Sequence, residues 1–257
     1  MKRLLVGLLF TVVTGVCSAQ GLGPGKSSGN AAVIVSSYDN GQSSTTNWGC
    51  DGSTAKAGGA GNTYGITQTP GISSPSVSGA SMALTATFPA SGNNVLCWWK
   101  PGTADTGTWI RFATDVYLPS GLANNEFDPF IITPTLDAMF GTQCNRTSGY
   151  WQYANQTSMW YDGPIPCPGT LTTGVWHHLI FSDYWDPTDT SCGGFPTLHY
   201  GSITIDGVTS SWGGTTICAT AIPSGWTHVY GCQFQMDSST AATLTEYVDN
   251  VSCWVGK

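Results

Sequence analysis

Thr108-Trp109-Ile110-Arg111-Phe112-Ala113-Thr114-Asp115-Val116-Tyr117-Leu118 changes character at every second residue. Successive side chains of a strand point to opposite faces. Ile110, Phe112, Thr114, Val116 and Leu118 therefore share one face, and Trp109, Arg111, Ala113, Asp115 and Tyr117 the other. The first set reads as the core side of a half-buried strand. Pro119-Ser120-Gly121 ends it.

The same period extends outward in both directions. Upstream, 81–88 alternates with Met82, Leu84 and Ala86 on one side, 94–100 follows as a strand, and 32–35 is the expected first strand. Downstream, strands are expected over 126–132, 139–144, 149–154, 158–161, 177–185, 199–205, 229–236 and 245–254. Asp206-Gly207 is a hairpin turn signal. No segment carries a helical pattern of three turns. The chain reads as all-β, a jelly-roll β-sandwich of two antiparallel sheets.

Met1-Lys2-Arg3, an apolar run over 4–16 and Cys17-Ser18-Ala19 form a secretory signal peptide, residues 1–19, cut before Gln20. The apolar run is short for a membrane span, so no stable membrane insertion is expected. The expected location is secreted and extracellular, with the periplasm as the alternative. Loss of Lys2 and Arg3 moves the formal charge from −7 to −9. Such a balance repels phosphates and argues against a nucleic-acid partner.

Cys17 leaves with the leader, and eight cysteines remain. An even number in an exported chain reads as a disulfide framework. Cys144–Cys167 and Cys192–Cys218 would each staple one hairpin-like unit, leaving Cys232–Cys253 and Cys50–Cys97. No close CxxC pair suggests zinc. Residues 20–75 are rich in Gly and Ser and poor in apolar groups. Residues 20–30 read as a flexible start and 40–75 as an irregular layer over the sandwich pinned by Cys50, so that 20–75 form an extension packed on it, with 76–257 forming the domain. A monomer is expected.

Gly174-Val175-Trp176-His177-His178-Leu179, the hairpin Ile203-Thr204-Ile205-Asp206-Gly207 and the closing strand Tyr247-Val248-Asp249-Asn250-Val251 resemble the concanavalin A-like lectin/glucanase superfamily over about 76–254. Glu-Phe-Asp, Gly-Thr-Gln-Cys and Gln-Phe-Gln-Met-Asp elements are also similar to those of uncharacterised secreted bacterial proteins. The superfamily resemblance implies two curved sheets whose concave face holds a polysaccharide. Some of its members hydrolyse β-glucans with a Glu-x-Asp-x-(x)-Glu strand, in which the first Glu is nucleophile and the last is acid/base. In Asn125-Glu126-Phe127-Asp128-Pro129-Phe130-Ile131, Glu126 and Asp128 match the first two positions, but Phe130 or Ile131 stands at the last and neither moves a proton. A retaining hydrolase of that pattern is therefore not expected. An inverting enzyme needs a more distant acid, for which Asp115 and Asp237 are the nearest by pattern. Otherwise the two acids hold a network or a structural calcium, the one cofactor the pattern allows.

Glu126 and Asp128 are the catalytic residues only if the protein is an enzyme, which stays open. Gln233 and Gln235 share a strand face with Asp237 and can donate to and accept from sugar hydroxyls, as can Gln143 and Gln152. Among the 11 Trp, Trp151 and Trp160 are the expected stacking rings, and Trp176 and Trp254 the expected packing residues. His178 joins the sugar contacts. With His199, Arg111 and Gln143 it would also suit proton abstraction beside a uronate. The expected function is binding of a neutral extracellular polysaccharide or oligosaccharide in a concave groove. The alternatives are an inverting glycoside hydrolase and a structural or adhesion module without a sugar site.

Overall fold

The computed structural model describes residues 34–51, 65–88, 93–103, 106–155, 159–167, 169–221 and 229–257. The leader and the Gly/Ser-rich start, expected from residues 1–33, lie outside the described residues. In chain order the strands are β1 (Ile34–Tyr38), β2 (Trp48–Asp51), β3 (Gly65–Ile72), β4 (Ser81–Phe88), β5 (Asn93–Gly102), β6 (Trp109–Tyr117), β7 (Leu122–Ile132), β8 (Asp137–Met139) and β9 (Thr142–Asn145). They continue with β10 (Tyr150–Ala154), β11 (Trp160–Pro166), β12 (Trp176–Asp186), β13 (Thr197–Ile205), β14 (Val208–Ser211), β15 (Thr216–Cys218), β16 (Val229–Ser238) and β17 (Ala242–Gly256). A 3-10 turn, Gly41–Ser43, lies between β1 and β2. No helix among the described residues is long and apolar enough to cross a membrane.

Two antiparallel sheets form a jelly-roll sandwich. One has nine strands, ordered β14-β13-β12-β6-β17-β4-β3, with β1 on β17 and β15 on β13. The other has eight, ordered β11-β10-β9-β7-β16-β5-β2, with β8 on β7. The chain crosses from sheet to sheet between β4, β5, β6 and β7, so neighbours in sequence face one another across the core. Between the sheets, Phe112 of β6 stacks on Phe181 of β12 at 5.7 Å and meets Phe234 of β16 edge-on at 5.4 Å. Phe127 of β7 packs on Trp151 of β10 at 6.2 Å. These rings are almost wholly buried. A smaller apolar cluster of Leu96, Trp98, Phe130 and Ile132 lies on the other side of the eight-stranded sheet.

Ile110, Phe112, Thr114 and Val116 are buried, as the alternation of β6 predicts. Two expectations change. The 40–75 stretch, expected as an irregular layer, supplies β2 and β3 to the two sheets, while β1 overlaps the expected first strand. Its Thr, Ile and Trp residues take strand positions at sheet edges, where a modest apolar content suffices. The second change concerns cysteine. Cys50–Cys97, Cys144–Cys167 and Cys192–Cys218 are bonded, whereas Cys232 and Cys253 are buried free thiols, on strands of opposite sheets.

Two local devices hold the frame. Asp249 lies at a bulge of β17, where Asn250 has φ 48°. Its carboxylate accepts bonds from Gln42, from the Ser76 and Ser78 hydroxyls, and from the backbone N–H groups of Val77, Ser78 and Asn250. Burial pushes this carboxyl up, but those donors outweigh it and its pKa falls below the usual value. One acid thus fastens the 3-10 turn and the 76–78 loop to the sheet. At Gly231 a Cβ would come within 1.9 Å of the Trp99 carbonyl oxygen, so only glycine fits that bulge of β16.

Candidate functional site

The candidate site is the outer face of the eight-stranded sheet, away from the main core. Gln235 of β16 pairs with Glu126 of β7, Glu126 with Gln143 of β9, Gln143 with Gln152 of β10, and Gln152 with Asp162 of β11. Paired residues on neighbouring strands point to the same face, so these five side chains form one row across the sheet. At ~4.8 Å per strand the row is about 19 Å long. Gln233 and Asp128 pair in the next row, and Asp237 and Asn124 pair on the other side.

Hydrogen bonds run along and between the rows. Gln233 donates to Asp128 Oδ2 at 2.5 Å and accepts from the Trp98 indole at 2.8 Å. The Thr142 backbone N–H donates to Asp128 Oδ1 at 2.8 Å. Gln235 Nε2 donates both to Glu126 Oε1 and, at 2.9 Å, to Asp237 Oδ1. Asn124 donates to Asp237 Oδ2. Gln143 and Asn145 both donate to Gln152 Oε1, and Gln152 donates to Asp162. The second oxygen of Glu126 has no hydrogen-bond partner among the described residues.

No lysine or arginine forms an ion pair with these acids among the described residues. Burial and mutual repulsion therefore set their protonation. Burial first, then the charges of Asp237 and Asp128, push Glu126 well above the ordinary carboxyl value. Burial pushes Asp128 to about 8, against the Thr142 N–H, and Asp237 to about 6. Burial thus holds Glu126 and Asp128 toward their protonated forms and Asp237 less so. No group of three or more His, Cys, Asp or Glu side chains is placed to share a metal ion among the described residues.

The structure brings Glu126, Asp128, Gln143, Gln233 and Gln235 to one face. Trp160 stands on that face too: it pairs with Ala154 of β10, two residues from Gln152, and its ring edge lies where a side chain on Gly141 would point. Two expected sugar contacts are elsewhere. Trp151 is wholly buried between Phe127 and Phe181, because it points inward when its neighbour Gln152 points out. His178 is on the nine-stranded sheet, half exposed, with Nδ1 2.7 Å from Asp115 Oδ1. Asp115 lies there as well, so Asp237 is the acid near Glu126. The proton-abstraction set divides the same way, with Arg111, His178 and His199 on one sheet and Gln143 on the other. Trp176 and Trp254, expected in packing roles, are only half buried and lie on the outer face of the nine-stranded sheet.

Three features of the polar face escape a strand-by-strand reading. Trp98 orients Gln233, Asn124 holds Asp237, and Asn145 shares Gln152 with Gln143. Each joins residues from different strands. A further buried acid, Glu246, sits inside the sandwich with Asn125 donating to it, and burial lifts it to about 8.

No protein-family model matches the chain, and no curated protein matches it. Solved structures do. A carbohydrate esterase of the Shiga toxin-encoding bacteriophage phi24B is 12% identical, with 88% of this chain and 100% of that one covered and a TM-score of 0.48. A cellulose-induced protein is 12% identical over 82% and 92%, at 0.46. An endo-β-1,4-glucuronan lyase of the fungus Trichoderma reesei is 12% identical over 81% and 94%, at 0.44. With TM-scores below 0.5 and such low identity, these likenesses carry no argument about activity.

Proposed function

We propose that the protein binds an uncharged extracellular polysaccharide along the outer face of the eight-stranded sheet. The row Gln235–Glu126–Gln143–Gln152 carries the reading. It offers amides and a carboxyl held toward its protonated form, groups that both donate to and accept from hydroxyls, and no lysine or arginine is paired with its acids among the described residues. The row is long enough for an oligosaccharide, and Trp160 places an indole near one end for a sugar ring to stack on. The leader and the disulfides fit a protein that meets its ligand outside the cell.

Affinity electrophoresis and calorimetry on soluble glucans, xylans and mannans test it. At least one should bind, and Gln235→Ala should weaken that binding at least tenfold, the loss of one or two well-placed hydrogen bonds, ~1.4 kcal/mol or more. No binding to any of them would favour a structural or adhesion module.

Glycoside hydrolysis is the second reading, favoured by one contact. Gln235 Nε2 holds an oxygen of Glu126 and one of Asp237, so the two carboxyls lie within two hydrogen-bond lengths, ~6 Å at most. That separation suits retaining better than inverting hydrolysis. Glu126 would be the acid and Asp237 the ionised partner. Glu126→Gln and Asp237→Asn should then abolish turnover while leaving binding, and absence of any released sugar from wild type would remove this reading.

A further inference from the structure

The outer face of the nine-stranded sheet carries a different arrangement. Ala113 of β6 pairs with Ile180 of β12 and with Ser252 of β17, so a row of modest side chains crosses three strands. On one side of it stand Arg111 and Trp254, and on the other His178 and Asp115. The two walls are four residues apart along β6, about 13 Å. They bound a shallow slot across the strands.

The acceptors in this slot are taken and the donors are not. Asp115 receives His178 Nδ1 on one oxygen at 2.7 Å and Asn250 Nδ2 on the other at 2.6 Å. By contrast Arg111 Nε and Trp109 Nε1, neighbours on that face, are buried atoms with no hydrogen-bond partner among the described residues. Arg111 also has no carboxylate within ion-pair distance among those residues. Its guanidinium instead lies 5.6 Å over the Trp254 ring. A guanidinium stacked on Trp254, with no acceptor among the described residues, is matched by a ligand that only accepts, and a carboxylate or sulfate does so with two oxygens. His178, 47% exposed, offers its remaining ring nitrogen to a hydroxyl of the same ligand.

We propose that this slot binds an oxyanion group, a carboxylate or a sulfate ester, carried on a short glycan. Arg111 takes the oxyanion through its terminal guanidinium nitrogens, and His178 a ring hydroxyl. The site is independent of the amide row on the other sheet. The chain's overall negative charge opposes a long polyanion at a distance, so short ligands are the appropriate probes.

The full secreted chain should be titrated calorimetrically with a uronate oligosaccharide, a sulfated gluco-oligosaccharide and the uncharged gluco-oligosaccharide of equal length. Binding of either anionic probe supports the proposal, and which of them binds identifies carboxylate or sulfate. The affinity should fall at least tenfold in Arg111→Gln. It should also weaken with added salt and be unchanged in Gln235→Ala. Failure of both anionic probes, an affinity indifferent to Arg111→Gln, or a loss in Gln235→Ala instead would overturn it. A failure here leaves the uncharged-glycan arm on the other sheet untouched, and the reverse also holds.

Discussion

On the outer face of the eight-stranded sheet, the buried Glu126 and Asp128 and the partly buried Asp237 are held by glutamine and asparagine amides. On the outer face of the nine-stranded sheet, Asp115 is held by His178, a side chain that stands half in solvent and can carry charge. Both faces come from the same two-residue alternation. The partner makes the difference. An amide satisfies a carboxyl's hydrogen bonds but does not offset its charge, so a buried acid beside amides keeps its proton. A histidine does both, and leaves one nitrogen over for something else.

The largest expected effect separates the two faces by stability. Asp128→Ala strips an acceptor from the Thr142 N–H and from Gln233 in a dry setting and should cost about 2–4 kcal/mol in urea unfolding. Asp115→Ala, whose partners can turn to water, should cost about 1 kcal/mol or less. Equal losses would erase the contrast.

The next effect is on pH dependence. Asp128 and Glu246 rise to about 8 in the folded chain, and Glu126 rises as well. A carboxyl with a raised folded pKa contributes stability that is full below its unfolded value, near 4, and is lost as pH climbs through the folded value. The melting temperature should therefore be higher at pH 5 than at pH 8.5. Between those limits, each such group that stays protonated in the folded chain and ionises in the unfolded one costs ~1.4 kcal/mol per pH step of about one. Glu126→Gln with Asp128→Asn should flatten the slope. Asp249 and Asp206 have lowered values and act only in strong acid, below about pH 4.

His178 should produce the smallest effect. Its bond to Asp115 raises its pKa, against burial, with Asp115 and Asp206 adding to the rise and Arg111 opposing it. Its contribution is thus full below its unfolded value, near 6.5, and fades as pH rises through the folded one. Half exposure keeps this below about 1 kcal/mol. His178→Asn should remove that small increment at pH 5.5 and change nothing at pH 9, as thermal melts at the two pH values would reveal.

Strand alternation carries far where one face is plainly apolar. In β6 and β16 it places Phe112, Val116, Phe234 and Met236 in the core and Gln233 and Gln235 opposite them. It fails where both faces carry rings. Tyr150 and Trp151 are adjacent, and nothing local says which points inward; the pairing of Gln152 with Gln143 decides it. Alternation also reports a face and never a sheet, so it turns His178 outward correctly yet groups it with side chains on the opposite layer. Sheet membership depends on which strands pair across long sequence separations, as Gln235 does with Glu126. The strand Gly65–Ile72 is hidden by its Gly, Thr and Pro content, since an edge strand needs little apolar surface. Of the four expected bridges, the two hairpin staples Cys144–Cys167 and Cys192–Cys218 are formed, and of the two pairs left by elimination Cys50–Cys97 is bonded while Cys232 and Cys253 stay free.

The most direct test is calorimetric titration of the protein with uncharged glucan, xylan and mannan oligosaccharides, using wild type, Gln235→Ala and Arg111→Gln side by side. If the amide row is the ligand face, one of these glycans binds wild type and Arg111→Gln alike and loses at least tenfold in Gln235→Ala. Binding that survives Gln235→Ala unchanged, or binding to none of the three by wild type, would contradict it.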